Sequence, residues 1–360
     1  MNEKCFVAVS GGVDSAVALL LMRNKGFSVE GITMKPFGKE LVPNFSESEA
    51  EDAKKLCDSL NIPHHLFDLS AEFRKTVVAD FINAYASGET PNPCVVCNKY
   101  IKFGVLADKA RELGASAYAT GHYVKVAQCG DRRVITRADD KEKDQSYVLW
   151  SLSQEQISNF HAPLGEYSKN EVREIAEQNG FHVAKKGDSQ DICFIPDGDY
   201  RSFLNRIAGN TDKKGDFVLS DGKILGKHLG QRCYTIGQRK GLGIAYTEPL
   251  YVIGRDITQN KIILGRNEDL FTTRFTVRDA SFSALDFPTG AINCEARIRY
   301  RAPFVRSVLT PIGEGRLLVE TESPVRAVTP GQSAVFYDGD TLLGGGIIVA
   351  DAPNQKQVFD

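Results

Sequence analysis

The segment CFVAVSGGVDS, residues 5–15, does more than any other to restrict how this chain can fold. Six uncharged residues run into Gly11-Gly12. An unbroken apolar run of that length reads as a strand covered on both faces, the mark of a parallel sheet. SAVALLLMRNKG (15–26) comes next, with helical length and a closing glycine. A strand that turns through two glycines straight into a helix aims backbone N–H groups and a helix N-terminus at one point, which makes an anion cradle. The Ser10 and Ser15 hydroxyls add donors. No lysine follows the glycines, so this is not the G-x-x-x-x-G-K-[ST] loop that grips β- and γ-phosphates.

The alternation continues. SVEGITM (28–34) and HHLFDL (64–69) read as strands, with a helix to about Leu60 opened by a Ser46/Glu49 capping box and another over 71–85. KYIKFGVLADKARELG (99–114) reads as a helix, ASAYATGHYVKV (115–126) as a strand, and 169–180 as a helix capped by Ser168 and Glu171. The fold class expected is therefore α/β: a doubly wound parallel sheet, with ligands at the carboxyl ends of its strands near the switch in strand order. The texture changes at GNTDKKGDFVLSDGK (209–223), which is polar and turn-rich. We expect a catalytic domain over 1–207, a small β-rich module over 208–272 and a C-terminal β-barrel over 273–360, with a hairpin at Asp338-Gly339 and a frayed end.

Composition sets outer bounds. Of 360 residues 42% are hydrophobic and 25% charged, as in globular proteins, and no apolar run is long enough for a membrane span. The N-terminus lacks a secretion signal, so a cytoplasmic protein with reduced thiols is expected. Net charge is −2, so any nucleic-acid site must be a local basic patch. RIRYR places Arg297, Arg299 and Arg301 at period two, hence on one face of a strand, where aligned guanidiniums suit phosphate contacts, and GQRKGLG adds Arg239 and Lys240. Most of the eight cysteines read as small core residues, Cys5 and Cys57 among them.

SGGVDS resembles the pyrophosphatase loop of enzymes that split ATP between its α- and β-phosphates and adenylate a carbonyl oxygen. That loop is shared with amide- and amidine-forming ligases, and the remaining motifs choose among them. TPNPCVVCNKYIKFG (90–104), ATGHYV (119–124), KDQSYVLW (143–150), AKKGDSQDICFIPDGDY (184–200), GQRKGLGI (237–244), RIRYR (297–301) and TPGQSAVFYDGDTLLGGGII (329–348) occur in this order. Together they resemble the bacterial and mitochondrial tRNA 2-thiouridylases over nearly the whole chain.

The resemblance implies ATP-dependent replacement of the C2 oxygen of the wobble uridine by sulfur, in tRNAs for Lys, Glu and Gln. It implies an ATP site at Ala8, Val9, Ser10, Gly11, Gly12, Val13, Asp14, Ser15, Met34 and Gly121, with Asp14 orienting the loop or its Mg2+. It implies a persulfide on Cys193, resolved by Cys97, with sulfur supplied by an upstream relay protein or cysteine desulfurase. It implies tRNA contacts at Asn92, Pro93, Cys94, His122, Lys143, Asp144, Gln145, Arg299, Tyr300 and Gln332. Thiolate chemistry calls for lowered thiol pKa values, for which Lys99, Lys185 and Lys186 are candidate charges.

The chain departs from the usual pattern at Cys94, where the family has Asp. Cys94, Cys97 and Cys193 would then bring three thiols to one site. The readings open are an iron–sulfur cluster with a free iron to carry sulfide, a zinc site, which lacks an obvious fourth ligand and could not readily deliver sulfur, a Cys94–Cys97 redox pair, or a tolerated replacement. A second departure is the short MKPFGKELVPNFSES segment after Met34.

Overall fold

The computed structural model describes residues 2–42, 48–184, 191–209 and 212–350. Ser46 of the expected capping box, Lys185, Lys186 and the expected frayed end lie outside the described residues.

The N-terminal strands are β1 (Lys4–Ala8), β2 (Ser28–Lys35), β3 (His64–Asp68) and β4 (Ala117–Ala119). After them come a hairpin, β5 (Val124–Cys129) and β6 (Arg132–Arg137), and the short β7 (Phe160–His161). The parallel sheet has the order β3-β2-β1-β4-β7. Strand order reverses beside β1, so the switch point lies at the carboxyl ends of β1 and β4. Side chains of β1 alternate between two cores: Phe6 faces one, Cys5 and Val7 the other. That double coverage is why the strand carries no polar stripe.

The helices are α1 (Val13–Asn24), α2 (Ser48–Ser59), α3 (Ser70–Phe73), which runs through a π-turn into α4 (Ala79–Ala86), α5 (Pro93–Val96), α6 (Leu106–Glu112), α7 (Gln154–Ser158), α8 (Lys169–Gln178) and α9 (Tyr200–Ala208). The expected helix over 99–114 is longer and irregular. It starts at Pro93, is π-helical over Cys97–Val105 and bends at Gly104. The expected strand over 115–126 divides in two. β4 belongs to the parallel sheet, while the β5–β6 hairpin leaves it and pairs with the C-terminal barrel at Thr136 and Thr341.

The middle of the chain forms a four-stranded sheet from β8 (Gly215–Leu219), β9 (Ile224–His228), β10 (Tyr251–Asp256) and β11 (Lys261–Gly265) around its own core. The last strands are β12 (Phe271–Phe282), β13 (Ile292–Arg297), β14 (Val305–Gly313), β15 (Arg316–Arg326), β16 (Ser333–Asp338) and β17 (Thr341–Ile348). They run β12-β15-β14-β13-β16-β17 and close through β12–β17, a six-stranded barrel with no free edge. The expected hairpin at Asp338-Gly339 joins β16 to β17. Val335, Tyr337 and Leu342 of the barrel enter the same apolar cluster as Phe73, Ile101 and Trp150, so barrel and catalytic domain share a core.

Candidate active site at the carboxyl ends of the parallel strands

The glycine turn forms as its sequence requires. Gly11 has φ +71°, and a Cβ there would lie 2.3 Å from the Glu49 carbonyl oxygen, so only glycine lets the loop pack on α2. Gly12 is the N-cap of α1, and Val13, Asp14 and Ser15 make its first turn. The Ser15 hydroxyl accepts from the Ser10 N–H at 3.1 Å and donates to the Gly12 carbonyl at 3.0 Å, which sets the loop's curvature. Ala8 ends β1, and Val9 N–H bonds the Ile32 carbonyl at 2.8 Å. Met34, half-buried near the end of β2, and Gly121, just past β4, flank the loop. A Cβ on Gly121 would lie 2.9 Å from the Asp14 carbonyl carbon and 3.0 Å from Ser15 N.

Two side chains at the loop carry no role in the sequence reading: Lys169, outside every motif, and Tyr123, within ATGHYV. Lys169 Nζ sits 2.7 and 2.8 Å from the two Asp14 carboxylate oxygens, and Tyr123 OH donates to Asp14 at 2.7 Å. Lys169 is buried, although it occupies the first turn of α8, where a cation opposes the helix dipole. That misplaced charge is the signal the sequence offers. The Ser168/Glu171 box beside it marks only a helix start.

The sulfur side lies on two segments. Asn92 and Pro93 open α5, Cys94 is exposed on it, and Cys97 is buried at the start of the π-helical stretch. Cys193 is exposed on a turn closed by Ile195 N–H to the Ile192 carbonyl at 2.8 Å. Its neighbour Phe194 is fully buried against Phe73, Phe81 and Phe203 and anchors that turn. The three thiols feel one another electrostatically: Cys94 and Cys97 both disfavour ionisation of Cys193. The expectation of lowered thiol pKa values does not hold in the RNA-free protein. Burial pushes Cys97 up to about 11, and packing of protein atoms around the thiols of Cys193 and Cys94, although those residues reach the surface, raises Cys193 to about 12 and Cys94 as well. The opposing cation is Lys102, whereas Lys99 Nζ lies over the ring of exposed Tyr100 at 5.4 Å. Among the described residues no three Cys, His, Asp or Glu side chains are grouped as a metal ion would require.

The expected base-contacting residues surround the same strand ends. His122 is buried, its Nδ1 2.6 Å from Thr120 Oγ1, and burial together with Lys102 holds its pKa well below the usual value, so it is neutral. Gln145 accepts from Tyr123 N–H at 3.0 Å. Asp144 is buried and accepts from Ala138 N–H and from Ser146. Lys143, half-buried, directs its N–H at the Asp140 carbonyl. Tyr300 OH reaches the Asp144 carbonyl at 3.0 Å, and Gln332 Nε2 donates to the Thr90 and Pro91 carbonyls.

The arginine stripe needs correction. β13 ends at Arg297, so Arg299 and Arg301 stand in the following turn and share no strand face with it. Arg299 points inward and donates to the Ile236 and Ala327 carbonyls, because the turn carries it into the junction between barrel and central sheet. Arg301 is exposed.

Residues 3–197 match the family model described as tRNA methyl transferase HUP domain, 201–266 its PRC-barrel domain, and 272–348 the aminomethyltransferase beta-barrel domain. A tRNA-specific 2-thiouridylase MnmA of Syntrophotalea carbinolica is 45% identical over 96% of this chain and 99% of its own length. The MnmA 2 protein of Clostridium botulinum is 44% identical, covering 95% and 97%. The chain belongs to the tRNA-specific 2-thiouridylase family. A further 2-thiouridylase, from Clostridium acetobutylicum, is 41% identical over its entire length. Among the described residues no helix is long and apolar enough to cross a membrane.

Proposed function

We propose that this protein is an ATP-dependent tRNA uridine 2-sulfurtransferase acting on U34 of tRNAs for Lys, Glu and Gln. The observation that carries the reading is the convergence of the Ser10–Ser15 loop, the Thr120–His122 loop and three electrostatically coupled thiols on one end of one sheet.

Uracil C2 is a poor electrophile and its oxygen a poor leaving group, so the oxygen is activated first. ATP, arriving with Mg2+, seats its phosphates on the N–H groups of residues 10–15, with the α1 dipole behind them. Lys169 supplies the cation that the loop itself lacks. The C2 oxygen attacks the α-phosphorus, the bond to the β-phosphate oxygen breaks, and pyrophosphate leaves. Asn92, Gln145 and neutral His122 offer uncharged donors and acceptors to the edge of the extruded base, with Pro93, Lys143 and Asp144 beside it. Arg301, Arg239 and Lys240 face the RNA backbone, which orients it, while Arg299 and Tyr300 brace that turn from within.

Sulfur then arrives as a Cys193 persulfide loaded by a relay protein or cysteine desulfurase. Its terminal sulfur attacks C2, the C2–O bond breaks and AMP departs. Cys97 attacks the Cys193 sulfur, the S–S bond to the base breaks, and the 2-thiouridine is freed. A Cys97–Cys193 disulfide remains, to be reduced by an external dithiol. Lys102 is the nearby cation that favours the thiolate at both cysteines.

The test is Cys193→Ala in a single-turnover assay with persulfide donor. The variant should still release pyrophosphate in a tRNA-dependent step but form no 2-thiouridine. Thiolation at the wild-type rate would remove Cys193 from this role. Pyrophosphate release without tRNA, driven by a small amine, would favour an amide-forming ligase.

A further inference from the structure

Three residues immediately before the cysteine helix, Glu89, Thr90 and Pro91, are held from two other domains. Thr90 N–H bonds the Pro330 carbonyl at 2.8 Å. Gln332 Nε2 donates to the Thr90 carbonyl at 2.9 Å and the Pro91 carbonyl at 3.2 Å. Gly331, at φ +87°, lies so close that a Cβ would sit 2.7 Å from Thr90 N and from Glu89 Cβ. Arg278 of β12 pairs with Glu89 at 2.8 Å, and Arg255 of β10 reaches Thr90 Oγ1 at 3.5 Å. The loop that makes these contacts is fixed in turn, since Gly331 N–H and the Gln332 carbonyl both bond Ile348 of β17.

Beyond Pro91 the chain runs through Asn92-Pro93-Cys94, and Cys97 comes one turn later. Pro91 and Pro93 lock φ on either side of Asn92, so a shift at Thr90 passes along the chain with little loss to torsion. α5 is the first turn of the longer helical run, and the residues preceding it set where that run begins.

We propose that the barrel loop Thr329–Gln332 is a positioning element for Cys94 and Cys97, with Gln332 its principal contact. The amide of Gln332 completes the backbone of the segment that aims the thiols, and the barrel thereby sets how Cys97 meets Cys193. This rests on the role given above to Cys97.

The experiment compares wild type, Gln332→Glu and Arg278→Met in the full chain without RNA. Gln332→Glu keeps the shape but faces two carbonyls with no donor. Site-resolved alkylation by N-ethylmaleimide reports Cys94 and Cys97, and amide exchange of the peptide over 88–96 reports the segment. Losing such a bond should raise Cys97 alkylation and segment exchange about 5–30-fold. In turnover, kcat should fall by more than KM for tRNA rises. Arg278→Met should move the same readouts less, and it keeps the test open if Gln332→Glu fails to fold. Wild-type alkylation and exchange in both variants would overturn the proposal. A wild type that thiolates no tRNA would sink the functional reading while leaving the labelling comparison intact.

Discussion

Lys169 is the residue whose position is hardest to explain by stability alone. A buried lysine loses hydration, and in the first turn of α8 it also faces the positive end of the helix. Its compensation is Asp14, both of whose oxygens it meets. Asp14 belongs to the glycine turn, so the pair ties α8 to that turn. On the function proposed above, incoming phosphates present the lysine with a stronger anion at the same place. Lys169→Met should therefore weaken ATP binding by about 10–100-fold, the worth of one charge-assisted hydrogen bond, while tRNA binding changes little. Calorimetric titration of ATP with Mg2+ checks it, and unchanged affinity would leave Lys169 as a structural partner of Asp14. The cysteines are legible in sequence only as members of motifs. Their spacing says nothing of burial, and burial sets their pKa values.

At the scale of elements, the strand–turn–helix units read from apolar runs and caps agree with the structure. β1 into α1 and the Ser168/Glu171 start of α8 rest on local chemistry that the sequence carries in full. Two elements depart from expectation for a shared reason. The segment 115–126 mixes apolar residues with Ser116, Thr120, His122 and Lys125, and nothing in its periodicity marks where it leaves one sheet for another. The π-helical stretch over Cys97–Val105 differs from an α-helix by one residue per hydrogen-bonded ring, below the resolution of a hydrophobic pattern. The break after β4 has a function. It lets Gly121 approach the backbone of Asp14 and Ser15, where a methyl group would displace main chain rather than a side chain. Gly121→Ala should raise KM for ATP several-fold and leave KM for tRNA near the wild-type value. Steady-state kinetics with each substrate varied separately tests this, and equal effects on both constants would mean that the whole domain, not the cradle, had shifted.

For the whole molecule, the parallel-sheet fold with its β-rich module and barrel is legible in the sequence. The seam between catalytic domain and barrel is not, because it depends on pairs such as Trp150 and Ser333 that lie far apart in the chain. KDQSYVLW contributes to that seam as much as to the base site. Ser146 Oγ lies 3.0 Å from Tyr337 OH, Tyr147 OH donates to the Ser333 carbonyl at 2.8 Å, and Trp150 Nε1 donates to Ser333 Oγ at 2.9 Å. All of these residues are buried, and Val335, Tyr337 and Leu342 pack into the catalytic core. Two domains that share a core unfold together. Trp150 is the single tryptophan of the chain, so its fluorescence reports this seam alone. Ser333→Ala keeps the backbone acceptor for Tyr147 but leaves the buried indole N–H without a partner, at a cost of about 1–3 kcal/mol. In urea, fluorescence and far-ultraviolet circular dichroism should give one coincident midpoint in the wild type. Both should move to lower denaturant together in the variant. A fluorescence change that precedes the loss of helix would mean that the barrel detaches first, and that the catalytic domain holds its shape without it.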